Sequence, residues 1–221
     1  MDRKKLHERI QVVYEDQDVL VIEKASGIIT YPVEGQAFGS AIQLIRRYWK
    51  AQGRKNQHLY LLHRLDKETS GLLLFAKTSL ARRSLRAQFE KHSVLRSYLA
   101  VTHGLPQKQK GKIWTLLGRN ASGKRAVAAR GKQAHTSFEV VASDPRKERA
   151  LVRCRLRTGR THQVRIHLAH LRTPVLGDAV YGRDNTHRLA LHAEALGFYH
   201  PRTGRALHFR SSLPAELKLL L

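Results

Sequence analysis

The chain has 221 residues, and 41 Lys plus Arg stand against 17 Asp plus Glu, a formal charge of +24. That length suits one domain or two closely packed subdomains and is enough to bury a sizeable core. The charge exceeds any need of solubility and points to a polyanionic partner, since Lys and Arg release counterions on meeting phosphates; it leaves a ribosomal protein, a DNA binder and an RNA enzyme equally open.

The single cysteine, Cys154, excludes an internal disulfide and agrees with a reducing compartment. It lies in the alternating run Ala150 to Leu156 and reads as a small core side chain rather than a nucleophile. Met1 to Glu8 is charged and has no apolar core, unlike a signal peptide. No apolar run approaches the roughly 20 residues that span a bilayer. The expectation is a soluble cytoplasmic protein with no membrane partner.

In chain order, residues 1–9 read as a basic N-terminal tail and 10–221 as one folded domain. Ile10 to Tyr14 and Val19 to Glu23 read as strands joined by the acidic turn Glu15-Asp16-Gln17-Asp18. Lys24-Ala25-Ser26-Gly27 is a turn. Ser40 is placed as the N-cap of a helix with Ala41, Leu44, Ile45 and Tyr48 on one face. Gly53 to His58 is a basic connection. Leu59 to Leu62 and Leu72 to Ala76 are short apolar runs bounded by turn residues, as buried strands are, and the second is apolar enough to be covered on both faces. Ser79 is expected to cap a second helix with Ala81, Leu85 and Phe89 buried and Arg82, Arg83 and Arg86 off that stripe.

Val94 to His103 reads as an alternating strand, and Pro106 to Lys112 as a basic loop. Ile113 to Leu117 and Ala126 to Ala129 pair as a hairpin around Asn120-Ala121-Ser122-Gly123-Lys124. This stretch carries Lys108, Lys110, Lys112, Arg119, Lys124, Arg125, Arg130 and Lys132 with almost no acid. It reads as a mobile basic arm that grips a polyanion such as RNA, against the plainer reading of a solubilising insertion. His135 to Val141 and Ala150 to Leu156 form an antiparallel pair around Ser143-Asp144-Pro145. A helix starts at Thr161 with Val164, Leu168 and Leu171 on its apolar face and His162, Arg165 and Arg172 elsewhere. Leu189 to Ala193, Leu196 to Tyr199 and Ala206 to Phe209 read as strands. Hairpins and isolated helices without a βαβ rhythm favour α+β with a mainly antiparallel sheet.

Between the two apolar runs lies His63-Arg64-Leu65-Asp66-Lys67-Glu68-Thr69-Ser70-Gly71. Taken alone, Asp66 is as readily a turn residue satisfied by backbone N–H groups as a functional carboxylate. The run His63-Arg64-Leu65-Asp66-x-x-Thr69-Ser70-Gly71-Leu72-Leu73-Leu74 resembles the signature of the RluA-type pseudouridine synthases. Further segments resemble that family in order: the strand pair from Tyr14 to Lys24, Arg96-Ser97-Tyr98-Leu99-Ala100, Thr158 to Leu168, Pro174 to Asp178, and Leu191-His192-Ala193. The chain departs at Ala25, where family members commonly carry proline after the lysine. The resemblance implies the pseudouridine synthase fold, a mixed sheet with flanking helices and a central cleft, in a minimal form without an S4 domain.

It also implies isomerisation of uridine in ribosomal or transfer RNA. The bond from uracil N1 to the ribose breaks, the base turns, and it rejoins through C5. Asp66 is then the ionised catalytic group, as nucleophile or base. Arg165 matches the arginine that pairs with it, with Arg160 the competing assignment and nearer a phosphate. Tyr98 matches the tyrosine that stacks on the base, although an aromatic on a strand is ordinarily core packing. Arg64 matches a residue that fills the space left by the flipped nucleotide. His63 and Thr69 complete the expected substrate-binding group, mainly through hydrogen bonds of the turn. No metal or cofactor is expected: there is no CxxC and no Walker loop, and His167 with His170 lacks a clear third ligand. A monomer without an obligate protein partner is expected. The reading from another class is a non-catalytic RNA-binding or ribosome-assembly protein on the same fold.

Overall fold

A computed structural model of the chain describes residues 9–32, 39–54, 57–182 and 187–221. The proposed basic tail, apart from Arg9, and part of the Gly53 to His58 connection lie outside the described residues. The chain forms two compact units, one from Met1–Val94 with Ala195–Ser211 and one from Leu95–Glu194 with Ser212–Leu221.

The first unit begins with β1 (Ile10–Glu15) and β2 (Val19–Lys24), antiparallel with a register shift between Val12 and Tyr14. The acidic turn between them is a structural hub. Asp16 accepts from the Asp18 and Val19 N–H groups, each at 2.8 Å. Glu15 accepts from Trp49 Nε1, Arg54 and Lys77. Buried Asp18 receives a bidentate Arg202 at 2.6 and 2.8 Å. Acids this close together are tolerable because each has its own cation or N–H donor.

Helix α1 (Ala41–Ala51) starts at Ser40 in a capping box with Gln43, as the sequence leads one to expect. Its buried stripe ends on Trp49 rather than on the expected Tyr48, which is only half-buried. Trp49 wins the site because its ring N–H reaches Glu15 at 3.0 Å. Strand β3 is reduced to Tyr60–Leu61, and β4 (Ser70–Ala76) is buried at every position. β4 lies antiparallel between β2 and β3. Helix α2 (Ser79–Glu90) is capped by Thr78, not Ser79: the Thr78 hydroxyl accepts from Ala81 N–H and donates to Asp18. Val19, Val21, Leu72, Leu74, Ala81 and Leu85 share one core.

The second unit holds β5 (Leu95–His103), β6 (Lys110–Arg119), β7 (Arg125–Val127), β8 (Lys132–Asp144) and β9 (Arg149–Leu156) in the order β5-β9-β8-β6-β7. These strands pair antiparallel throughout. β5 is buried from Arg96 to Thr102, so its expected one-sided alternation does not hold; both faces are covered. The hairpin at 113–129 forms, but the expected loop at 106–112 gives way to strand from Lys110, because β6 pairs with β8 from Lys110 to Leu117.

Helix α3 (Gln163–His170) begins after His162, later than expected, and Gln163 to Leu168 are all buried. The expected division into an apolar and a polar face fails because polar partners meet its polar side chains inside the unit. β10 (Leu191–Tyr199) is one strand where the sequence suggests two, and β11 (Ala206–Arg210) pairs with its end from Ala195 to Tyr199. A short α4 (Ala215–Lys218) closes the chain. The arrangement is α+β. Cys154 is sealed in the second unit, where burial pushes its thiol up to about 12; it stays protonated and is no nucleophile. No helix among the described residues is long and apolar enough to cross a membrane.

Candidate active site

The signature turn belongs to the first unit. Thr69 N–H donates to the Asp66 carbonyl at 3.1 Å, which closes the turn and leaves the carboxylate half-buried. The backbone around it is braced from outside. Thr30 Oγ1 donates to the Leu65 carbonyl at 2.9 Å and accepts from the Leu65 N–H at 3.2 Å. Lys24, fully buried, donates to the Lys67 carbonyl at 3.1 Å, and Ser26 Oγ to that of Glu68 at 2.7 Å. Each residue from 65 to 68 other than Asp66 thus has its carbonyl tied down, while Asp66 is tied by the turn itself. None of these braces is legible in the sequence. The Lys24 turn is, but only as a turn.

His63 Nε2 accepts the Leu74 N–H at 3.1 Å, which ties this residue to β4. Arg64 is exposed; it donates to Tyr31 OH at 2.8 Å with its guanidinium 5.3 Å from that ring. Thr69 is buried, and its hydroxyl has no hydrogen-bond partner among the described residues.

The other predicted residues belong to the second unit. Tyr98 is buried on β5, opposite Cys154 in register. Arg96, two residues before it, is also buried and donates to the Arg157 carbonyl at 3.1 Å. A side chain at Gly159 would lie 2.5 Å from Arg96 Nη1, so any larger residue would make the guanidinium shift. Burial pulls the pKa of Arg96 down, while the negative end of Tyr98 works the other way.

The Thr158 to His170 segment is organised by buried Gln163. Its amide donates to the His135 carbonyl and Thr136 Oγ1, each at 3.0 Å, and its oxygen accepts from Thr158 Oγ1 and Arg160 N–H. Arg160 itself donates to the Gln133 carbonyl at 2.9 Å. His162 sits in the left-handed region at φ 57 and meets Tyr181 OH at 3.0 Å.

Arg165 is 7% exposed and makes a bidentate pair with Asp178, Nε to Oδ2 and Nη2 to Oδ1, both 2.7 Å. Asp178 is 1% exposed and also accepts the Val180 and Tyr181 N–H groups. Burial pushes its carboxyl up, but the Arg165 bond and those N–H groups outweigh it, leaving the pKa below the ordinary carboxylate range. The Tyr181 ring lies 5.2 Å from the same guanidinium. Sequence reasoning singles out Arg165 and the Asp178 motif separately and does not join them.

His167 has both ring nitrogens engaged, Nδ1 with Thr136 at 2.8 Å and Nε2 with Thr115 at 2.9 Å. Burial, followed by the charges of His170 and His135, drives its pKa down to about 4. The folded protein therefore resists a proton that the unfolded chain takes up near its ordinary value of about 6.5. The contribution is whole above that value and fades as the pH falls towards 4, with a span of about 3 kcal/mol. Urea midpoints measured from pH 7 to 4 should fall for the wild type, and His167→Gln should flatten that slope.

In the basic stretch, Lys110 and Lys112 lie on β6, and Arg119 stands opposite Arg125. Lys124 is drawn back to the Val180 carbonyl and over the Tyr181 ring at 5.0 Å. Lys108, Arg130 and Lys132 are exposed.

An α+β chain with a braced aspartate turn and a buried, doubly held arginine is suited to polar chemistry on a polyanion. Comparison with known proteins makes the class definite. Residues 18–170 match the family model for RNA pseudouridylate synthase. The RNA pseudouridine synthase YlyB of Bacillus subtilis is 37% identical over 96% of this chain and 72% of its own length. Ribosomal large subunit pseudouridine synthase D of Zymomonas mobilis is 35% identical over 96% of this chain and 71% of its own length. Among solved structures, human RNA pseudouridylate synthase domain containing 1 superposes with a TM-score of 0.75 at 26% identity, over 96% of this chain and 86% of that one. The chain belongs to the RNA pseudouridylate synthase family and has its fold, and it is an isomerase that acts on RNA.

Proposed function

We propose that this chain isomerises uridine in ribosomal RNA of the large subunit, with Asp66 as the group that begins cleavage of the glycosidic bond. The observation that carries the catalytic assignment is the signature turn, in which every neighbouring carbonyl is fixed while the Asp66 carboxylate stays half-buried. A turn held this firmly presents one carboxylate at one place, which a reaction needing alignment at a sugar carbon requires. The choice of RNA is supported by the name of the Zymomonas relative and by that of a Vibrio vulnificus relative, also a ribosomal large subunit pseudouridine synthase D, at 34% identity.

Arg165 serves in this reading as a fixed cation of the reaction, and its clamp by Asp178 and Tyr181 supports a role that needs one orientation. Tyr98 supplies an aromatic face for the extruded base, which holds uracil whatever its rotation. Arg64 fills the gap in the RNA stack, and Arg160 meets a phosphate. The protein works in the cytoplasm as a monomer. A non-catalytic RNA binder on this fold has no use for Asp66, Tyr98 and Arg165 together.

Pseudouridine mapping of total RNA from cells with and without the protein tests the target. Loss of signal at large-subunit positions is expected. Loss confined to transfer RNA would overturn the choice of substrate, and no loss would favour the binding-only reading. The basic stretch is tested apart from catalysis. Replacing Lys108, Lys110, Lys112 and Lys132 by glutamine should weaken RNA binding. The plot of log affinity against log salt should flatten by about 0.7 for each phosphate of a single strand that is no longer neutralised. An unchanged slope would remove these lysines from the interface.

A further inference from the structure

Strand β6 carries a feature that the isomerase chemistry does not use. Trp114 is 61% exposed, although β6 is paired along its length and has buried residues at Ile113 and Leu117 on its other side. Directly opposed residues in an antiparallel pair project to the same face of the sheet. Trp114 opposes His135, and Lys112 opposes Ser137, which in turn opposes Arg155 on β9. Arg157 donates its N–H to the His135 carbonyl and so flanks the same place. This outer face is the reverse of the one that carries Tyr98 and Cys154, where Ile166 of α3 packs against Leu117 and Ala134.

The His135 ring lies 3.5 Å from the indole, centroid to centroid, and tilted by 43°, so it supports one side of the indole. Lys112, Arg155 and Arg157 around it are exposed. The acids nearby are already engaged: Glu139 stands 4.0 Å from Arg155, and Glu194 accepts from Arg153 at 2.6 Å. A flat aromatic surface ringed by cations matches a single RNA strand, whose bases offer π-faces and whose phosphates lie within reach on either side. A duplex hides its base faces and offers only backbone. A second copy of the chain would bring Lys112, Arg155 and Arg157 against their own like, in a protein whose formal charge is +24.

We propose that this outer face binds an unpaired segment of the RNA, with one base stacked on Trp114 and the adjoining phosphates on Lys112, Arg155 and Arg157. The proposal rests on RNA being the substrate, and it adds a contact that does not use the reacting uridine and selects RNA with a single-stranded stretch. His135, Arg155 and Arg157 lie outside the basic stretch that the sequence singles out, because they come together only through the register of three strands.

The chain has two tryptophans, and Trp49 is 2% exposed. A Trp49→Phe variant therefore reports emission from Trp114 alone. Oligoadenylate of about eight nucleotides, within the span of a single-strand site, contains no uridine and cannot be a substrate, so its binding reads this face without the reaction. Saturable quenching of the emission is expected. Trp114→Ala should weaken oligoadenylate binding by about 5- to 100-fold, the range of one base–aromatic stack, and Trp114→Phe should keep most of it. An abasic ribose-phosphate chain of the same length should bind the wild type as weakly as oligoadenylate binds Trp114→Ala. Equal binding of oligoadenylate by wild type and Trp114→Ala would overturn the proposal. So would quenching that follows protein concentration and not RNA, with a sedimenting dimer, which would make the face an interface between copies. Asp66→Asn should bind oligoadenylate as the wild type does, so failure here and failure of the isomerase assignment are read separately.

Discussion

Asp66→Asn leaves RNA affinity nearly unchanged and lowers turnover by on the order of 10³-fold or more. The two side chains have the same shape, and the backbone of the turn is held by other residues. Thr69 donates to the Asp66 backbone carbonyl, and Thr30, Lys24 and Ser26 hold the backbone of the neighbouring residues. The exchange breaks none of these backbone bonds, so the variant should keep the fold of the turn. What it removes is the anion. An amide neither attacks a sugar carbon nor takes a proton at neutral pH. The reaction offers its own readout, because making the C5 bond to ribose releases the hydrogen from C5. Tritium placed there should pass to water with the wild type and stay in the RNA with the variant. Wild-type release by Asp66→Asn would end the assignment of this residue, and a loss of RNA affinity equal to the loss of release would make it a binding residue.

The parts of this fold that can be read from the chain are those written in one segment. Ser40 announces α1, and the run from Leu72 to Ala76 announces a strand covered on both sides. The turn residues from Asn120 to Lys124 announce the hairpin of β6 and β7. What cannot be read depends on a partner elsewhere. Thr78 displaces Ser79 as cap because Asp18 also binds its hydroxyl. Helix α3 buries Gln163, Arg165 and His167 because Thr136, Asp178 and Thr115 are waiting for them. Periodicity counts such residues as polar and assigns them to the surface. The same divide runs through the candidate site. Asp66, Tyr98 and Arg165 are named by a motif, whereas their surroundings, Thr30 and Asp178 among them, are residues whose purpose appears only once the backbone has folded. A motif names side chains one at a time and is silent on what holds them.

Asp178 carries the second large effect. Its carboxylate is the bidentate partner of Arg165 and the acceptor of two N–H groups, and it is 1% exposed. Asp178→Ala strips all of this at once and leaves a buried guanidinium without that counter-charge, at a cost of about 3–5 kcal/mol. Asp178→Asn keeps one acceptor oxygen and should cost less, about 1–3 kcal/mol. The pH dependence has a definite sign. The folded pKa lies below the unfolded one, so the stabilisation is present above about 4, the unfolded value, and is lost as the pH falls through the folded pKa. Asp178→Asn should remove that acid-side loss. The double variant Arg165→Met, Asp178→Leu distinguishes structure from function, since replacing both members of a buried pair by apolar groups is often neutral. If the pair exists to aim Arg165, the double variant should melt near the wild type, bind RNA, and fail to turn over. Asp178→Asn should then lower kcat with little change in KM. If the double variant both folds and turns over, the guanidinium has no part in the reaction.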